Sequence, residues 1–111
     1  MNVGIIGLGY VGTALKEGFK NTHHIETYDL RKDLSTCESI SELLKKTDII
    51  FICVPTPMNE DGSSSIDIVK NTIKEISLSK NVKEKILIIK STIPPGTTES
   101  LNKKYNNLQI V

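Results

Sequence analysis

Long apolar runs, clustered cysteines and charge of one sign are all missing from this sequence, and each absence closes a class of function. No apolar stretch approaches the roughly 18 residues needed to cross a bilayer. The N-terminus reads as a strand starting at the second residue, without the basic region and cleavage pattern of a secretory leader, so a cytoplasmic location is the expectation. Cys37 and Cys53 are the only cysteines, well separated in the chain and in no C-x-x-C pair, which leaves neither a disulfide framework nor a dithiol motif. Cys53, inside I-I-F-I-C-V, reads as a small buried hydrophobe, and Cys37 sits in a polar connection that assigns it no role. The only histidines, His23 and His24, are adjacent and have no acid or cysteine at ligand spacing, so they read as a turn into a strand and no metal is expected. With 14 basic and 13 acidic residues interspersed, the net charge of +1 gives no reason to expect nucleic acid or a membrane as partner. At 111 residues the chain suffices for one core and is too short for a nucleotide domain plus a substrate domain.

What is present concentrates between Asn2 and Asp29. The apolar run Val3, Ile5, Ile6 ends in Gly7, Gly9 and Gly12, a G-x-G-x-x-G. At a dinucleotide site Gly7 makes the tight turn out of the strand, Gly9 lets backbone approach a pyrophosphate, and Gly12 lets helix pack on strand. The diphosphate would then meet the unpaired N–H groups that open the next helix. Val11, Ala14, Leu15, Gly18 and Phe19 recur at helical spacing and predict one buried face. The chain extends again through Ile25, Thr27 and Tyr28 to Asp29, at the distance from Gly7 where a ribose-binding acid belongs. A carboxylate there can accept from both adenosine ribose hydroxyls and repels a 2′-phosphate, which favours NAD over NADP, a preference that Arg31 and Lys32 just beyond would temper. A lone G-x-G-x-x-G says little; strand before it, amphipathic helix after it and acid at the right distance make it specific.

From Leu30 to Glu38 the sequence is polar and unperiodic, and then Ser39 and Glu42 form an S-x-x-E capping box for a helix with Ile40, Leu43 and Leu44 inward. Asp48 follows Asp29 too closely to leave much room for both a strand and a helix, so strand three of a full nucleotide half should be short or missing. Ile49 to Val54 reads as a parallel strand covered on both faces, ending in Pro55-Thr56-Pro57, where Thr56 either faces a cofactor or satisfies local backbone. A polar loop with the turn pair Asp61-Gly62 leads to Asp67, read as the N-cap of a helix with Val69, Ile73 and Ile76 inward. After a charged connection over 78–85, a fourth strand, Ile86 to Lys90, exits through Ser91-Thr92-Ile93-Pro94-Pro95-Gly96-Thr97-Thr98. If these two strands are neighbours, their exits line one crevice with the glycine loop. Thr97 reads as the cap of a last helix with Leu101 and Tyr105, and Leu108 to Val111 as the start of another strand. An apolar strand without a polar tail reads as the end of a fragment.

These features predict an α/β, Rossmann-like doubly wound domain over residues 1–111, with a mostly parallel sheet of about five strands. In order, G-L-G-Y-V-G at Gly7 to Gly12, Asp29, V-P-T-P at Val54 to Pro57, D-G with Asp67, and S-T-I-P-P-G-T-T at Ser91 to Thr98 resemble the NAD-binding domain of the UDP-glucose/GDP-mannose dehydrogenase family, the UDP-glucose 6-dehydrogenases most closely. The resemblance implies NAD-dependent, two-step oxidation of a nucleotide sugar's primary alcohol to a uronic acid, for polysaccharide synthesis, with a homodimer for the full-length form. By motif match Gly7, Gly9, Tyr10, Val11 and Gly12 would hold the diphosphate and Asp29 the ribose. Val54, Pro55, Thr56, Ser91 and Thr92 would lie along the nicotinamide side, with Thr92 also bordering the reacting carbon and positioning catalytic water. The family's E-P-G-L-like stretch is missing after Asp29, and its nucleophilic cysteine, catalytic lysine and substrate domain find no counterpart in these residues. These 111 residues alone are therefore expected to be inert. The rivals are the cofactor domain of a 6-phosphogluconate or β-hydroxyacid dehydrogenase, a stand-alone NAD-binding module without turnover, and, more distantly, an S-adenosylmethionine-dependent methyltransferase.

Overall fold

The computed structural model describes residues 1–80 and 82–111; Asn81, in the connection expected over 78–85, lies outside the described residues. Five strands and four helices follow one another as β1 (Asn2–Ile6), α1 (Tyr10–Phe19), β2 (His24–Tyr28), α2 (Ile40–Lys46), β3 (Ile49–Ile52), α3 (Asp67–Ser77), β4 (Ile86–Ile89), α4 (Thr97–Lys104) and β5 (Gln109–Ile110), with one 3₁₀ turn at Lys32–Leu34. The sheet order is β2-β1-β3-β4-β5. Every pairing is parallel, and the register aligns Ile6 with Tyr28 on one side and Ile52 on the other, and Ile52 with Ile89. All the C-terminal ends therefore reach one edge together. No strand lies between Asp29 and Ile40, which leaves β2 at one edge of the sheet and agrees with the expected shortening.

Right-handed crossovers put a helix that steps one way along a parallel sheet on one face and a helix that steps the other way on the opposite face. Only α1 steps towards β2; α2, α3 and α4 step towards β5. The core divides accordingly. Ile6, Ile50, Ile52 and Leu87 pack with Leu43, Leu44, Val69, Ile73, Ile76 and Leu101 from the three helices. On the other face Val3 and Ile5 pack with Leu15 and Phe19 of α1 and with Phe51 and Cys53.

This asymmetry corrects two expectations. The predicted inward face of α1 is covered only along Leu15 and Phe19, because among the described residues no other α-helix contributes to the core on its side of the sheet; Val11, Ala14 and Gly18 are exposed. Likewise β3 is not covered on both sides, since Ile50 and Ile52 are fully buried while Ile49 and Phe51 are half-buried. Cys53 belongs to that thinner face and is half-buried, whereas Cys37 is buried and its thiol donates to Glu26, which also accepts from Thr36 and pairs with His24.

Helix starts differ in their devices. Ser39 caps α2 as expected, its Oγ accepting from Glu42 N at 3.1 Å, but the Glu42 carboxylate reaches Glu38 N at 2.9 Å, one residue before the usual capping-box partner. Neither Asp67 nor Thr97 is a cap; each is the first helical residue. Thr97 N is already taken by Pro94 O at 3.2 Å, through a turn with Gly96 at φ +86°, and Ser65 Oγ lies 3.5 Å from Asp67 N. The acid at Asp67 still complements the positive end of α3.

Candidate functional site

At the C-terminal edge of the sheet the exits of β1, β2, β3 and β4 surround a cavity of about 770 Å³. Gly7 leaves β1 with φ +95°, and a Cβ on it would stand 2.7 Å from Cys53 O, so both the backbone conformation and the close approach exclude a side chain. Its N–H donates to Tyr28 O at 2.8 Å, tying the turn to β2. Gly9, which lines the cavity, precedes α1 in an extended conformation, and a Cβ there would meet nothing within 4 Å. The first N–H groups of α1, at Tyr10 and Val11, have no partner within the helix by construction, and both residues line the cavity. Gly12 is different. It is buried, does not line the cavity, and a Cβ on it would fall 2.0 Å from Gly7 O. It seats the helix on the turn, as expected of the third glycine of the motif.

Asp29 follows β2 and so lines the cavity on the other side of β1 from Thr56 and Thr92, which follow β3 and β4. Its Oδ2 accepts from Leu8 N at 2.7 Å and from Arg31 Nη2 at 3.2 Å, and its Oδ1 accepts from Arg31 N and Arg31 Nε, each at 2.9 Å. The Arg31 side chain, against the opposing effect of burial, holds this carboxyl below the ordinary carboxylate range, aided by the two backbone donors. Asp29 is therefore ionised at neutral pH.

The other wall comes from β3 and β4. Val54, Pro55 and Thr56 leave β3 beside Ser91 and Thr92 leaving β4, and all five line the cavity, as the two proline-rich exits predicted. Thr56 is half-buried and Thr92 exposed. The Ser91 hydroxyl is already used, donating to Val54 O at 2.7 Å, so it bolts the two exits together. Cys53 also lines the cavity, and burial pushes its thiol up to about 11 while Lys90 pulls weakly the other way. It is a protonated thiol at neutral pH.

Sequence reasoning missed the cavity's third side. Ile68, Asn71, Thr72 and Glu75 of α3 line it with Ile40 at the start of α2. The signal was available: positions 68, 71, 72 and 75 form a second helical stripe flanking the core stripe of Val69, Ile73 and Ile76. A glycine that leaves room for backbone approach, unpaired N–H groups at a helix start and an ionised carboxylate fit a dinucleotide. Among the described residues no three His, Cys, Asp or Glu side chains converge as metal ligands.

The sequence model of the UDP-glucose/GDP-mannose dehydrogenase family, NAD binding domain, matches residues 22–109. A UDP-glucose 6-dehydrogenase of Bacillus subtilis is 29% identical over 133 aligned positions, more than the 111 residues of this chain, and the alignment covers 92% of the chain and 30% of that protein. A UDP-N-acetyl-D-mannosamine dehydrogenase of Methanocaldococcus jannaschii is 32% identical, with 92% and 30% covered. The chain thus spans about a third or less of the length of these relatives. Among solved structures, a UDP-glucose dehydrogenase from Pyrobaculum islandicum superposes with a TM-score of 0.79 at 24% identity, covering 98% of this chain and 34% of that one, a likeness of fold.

Proposed function

Since the chain belongs to the UDP-glucose/GDP-mannose dehydrogenase family and carries its NAD-binding domain, we propose that it is the cofactor half of a nucleotide-sugar 6-dehydrogenase that oxidises the primary alcohol of a UDP-sugar to a uronic acid. One observation carries this reading: the glycine turn, Asp29 and the exits of β3 and β4 share a single cavity. In it the N-terminus of α1 and the open position at Gly9 hold the diphosphate, and Asp29 accepts from the adenosine ribose. Thr56 and Thr92 flank the nicotinamide, and Thr92 also orients the reacting end and its water. NAD bound there would supply the hydride acceptor for the sugar carbon.

The second oxidation requires a thiolate to hold the aldehyde. Cys37 is buried and Cys53 is kept protonated by its apolar surroundings, so the nucleophile is assigned to residues outside these 111, together with the substrate-binding domain. We place the whole protein in the cytoplasm, as a homodimer supplying uronic acid units for polysaccharide synthesis; this rests on the family resemblance, and no helix among the described residues is long and apolar enough to cross a membrane.

The first test is the intact mass of the native gene product, against 12.3 kDa for this chain. A much larger product should form NADH from NAD only when UDP-glucose or a related UDP-sugar is added. A product of 12.3 kDa that binds NAD without turnover would replace the dehydrogenase by a stand-alone NAD-binding module.

A further inference from the structure

A carboxylate offers about four acceptor positions, and all four on Asp29 are filled: by Leu8 N, by Arg31 N, and by Nε and Nη2 of the Arg31 side chain. The two backbone donors are fixed by the chain. The two guanidinium donors are not, because the Arg31 side chain is 58% exposed and follows Leu30, itself 89% exposed. A ribose diol brings two hydroxyl donors, so it can reach Asp29 only by replacing the two guanidinium contacts one for one. The same movement breaks the bond from Arg31 Nη2 to Leu8 O, 2.9 Å long, which now closes the guanidinium over the glycine turn.

We propose that Arg31 is a displaceable plug of the ribose position, and that its displacement sets the discrimination between NAD and NADP; the proposal rests on the dinucleotide reading of the cavity. For a diol the plug is purely a competitor. The pair is open to solvent on the Arg31 side and largely buried on the Asp29 side, where the side chain is 9% exposed, so the plug opens only as the two ribose hydroxyls re-pair the carboxylate, and it tunes affinity without blocking it. For a 2′-phosphate the released guanidinium, tethered close to Asp29 in the chain, becomes a partner, since its planar fork pairs bidentately with phosphate oxygens. Arg31 thus weakens NAD and rescues NADP, drawing the two affinities together.

Calorimetric titration of the wild type, Arg31→Ala and Arg31→Lys with NAD, NADP and ADP-ribose tests this. Arg31→Ala should bind NAD and ADP-ribose about fivefold tighter and NADP about fivefold weaker, the scale of an ion pair exposed on one side whose hydrogen bonds the diol replaces one for one. Arg31→Lys, which keeps a charge and loses the fork, should tighten NAD nearly as much while retaining more NADP binding. If the wild type binds NAD and both variants bind it equally or more weakly, the plug is wrong and Arg31 instead supports the bound adenosine, with the dinucleotide reading intact. If the wild type binds neither NAD nor ADP-ribose, the reading of the cavity fails and the plug with it.

Discussion

Gly9 and Gly12 belong to one motif, yet the atoms around them ask for opposite experiments. A Cβ at Gly12 would overlap Gly7 O at 2.0 Å, so Gly12→Ala must push α1 off the turn; it should cost roughly 2–4 kcal/mol in a denaturation experiment. A side chain at Gly9 projects into open space, so Gly9→Val should melt near the wild-type temperature while binding NAD at least tenfold more weakly. Equal damage to stability and binding in both variants would contradict this division. Asp29→Ala should weaken NAD and reduce discrimination against NADP, and unchanged affinity for both would remove Asp29 from the site. Because the folded-state value of Asp29 is depressed, its contribution to stability is complete above the unfolded value of about 3.9 and is lost as pH falls through the folded value. The stability difference between wild type and Asp29→Ala should therefore be flat from about pH 8 to 5 and shrink below about pH 4. Cys53, with its thiol near 11, should alkylate slowly at pH 7.5 and markedly faster at pH 10.

The exits of β3 and β4 work as one unit through the Ser91 hydroxyl on Val54 O. Ser91→Ala should destabilise by about 0.5–1.5 kcal/mol and speed amide exchange at Val54, Thr56 and residues 91–93, with a parallel loss of NAD affinity. Elements of this kind were legible in the sequence where the signal is local. The glycine turn, Asp29 and the two proline exits announce themselves within a few residues, and Ser39 predicts its helix through chemistry confined to one turn. What was not legible depends on residues far apart in the chain. Leu8 meets Asp29 and Ser91 meets Val54 only after the sheet has formed, and nothing at Val11, Ala14 or Gly18 says that α1 lacks a neighbour to bury them. The misread caps at Asp67 and Thr97 have the same origin, since the turns before them start each helix one residue later than the cap, making Ile66 and Gly96 the N-cap residues and Asp67 and Thr97 the first helical ones.

Across the whole molecule the order β2-β1-β3-β4-β5 puts the first strand in the interior of the sheet, with Val3 to Ile6 paired on one side to residues 25–28 and on the other to residues 49–52. During synthesis the glycine turn thus leaves the ribosome early but stays without its second wall until β3 has been made, and without its Thr92 wall until β4 has followed. Non-local parallel pairing of this kind slows folding, and refolding from denaturant should take milliseconds or longer in a stopped-flow experiment. NAD added to the refolding buffer should raise the final yield of folded protein and leave the rate unchanged, because the cofactor has nothing to hold until the last of these walls is in place. A nascent chain paused after β2 would expose Val3, Ile5 and Ile6 with no partner on one flank. For the cell, the window of vulnerability to aggregation and chaperone capture is then the translation time from Tyr28 to Ile52.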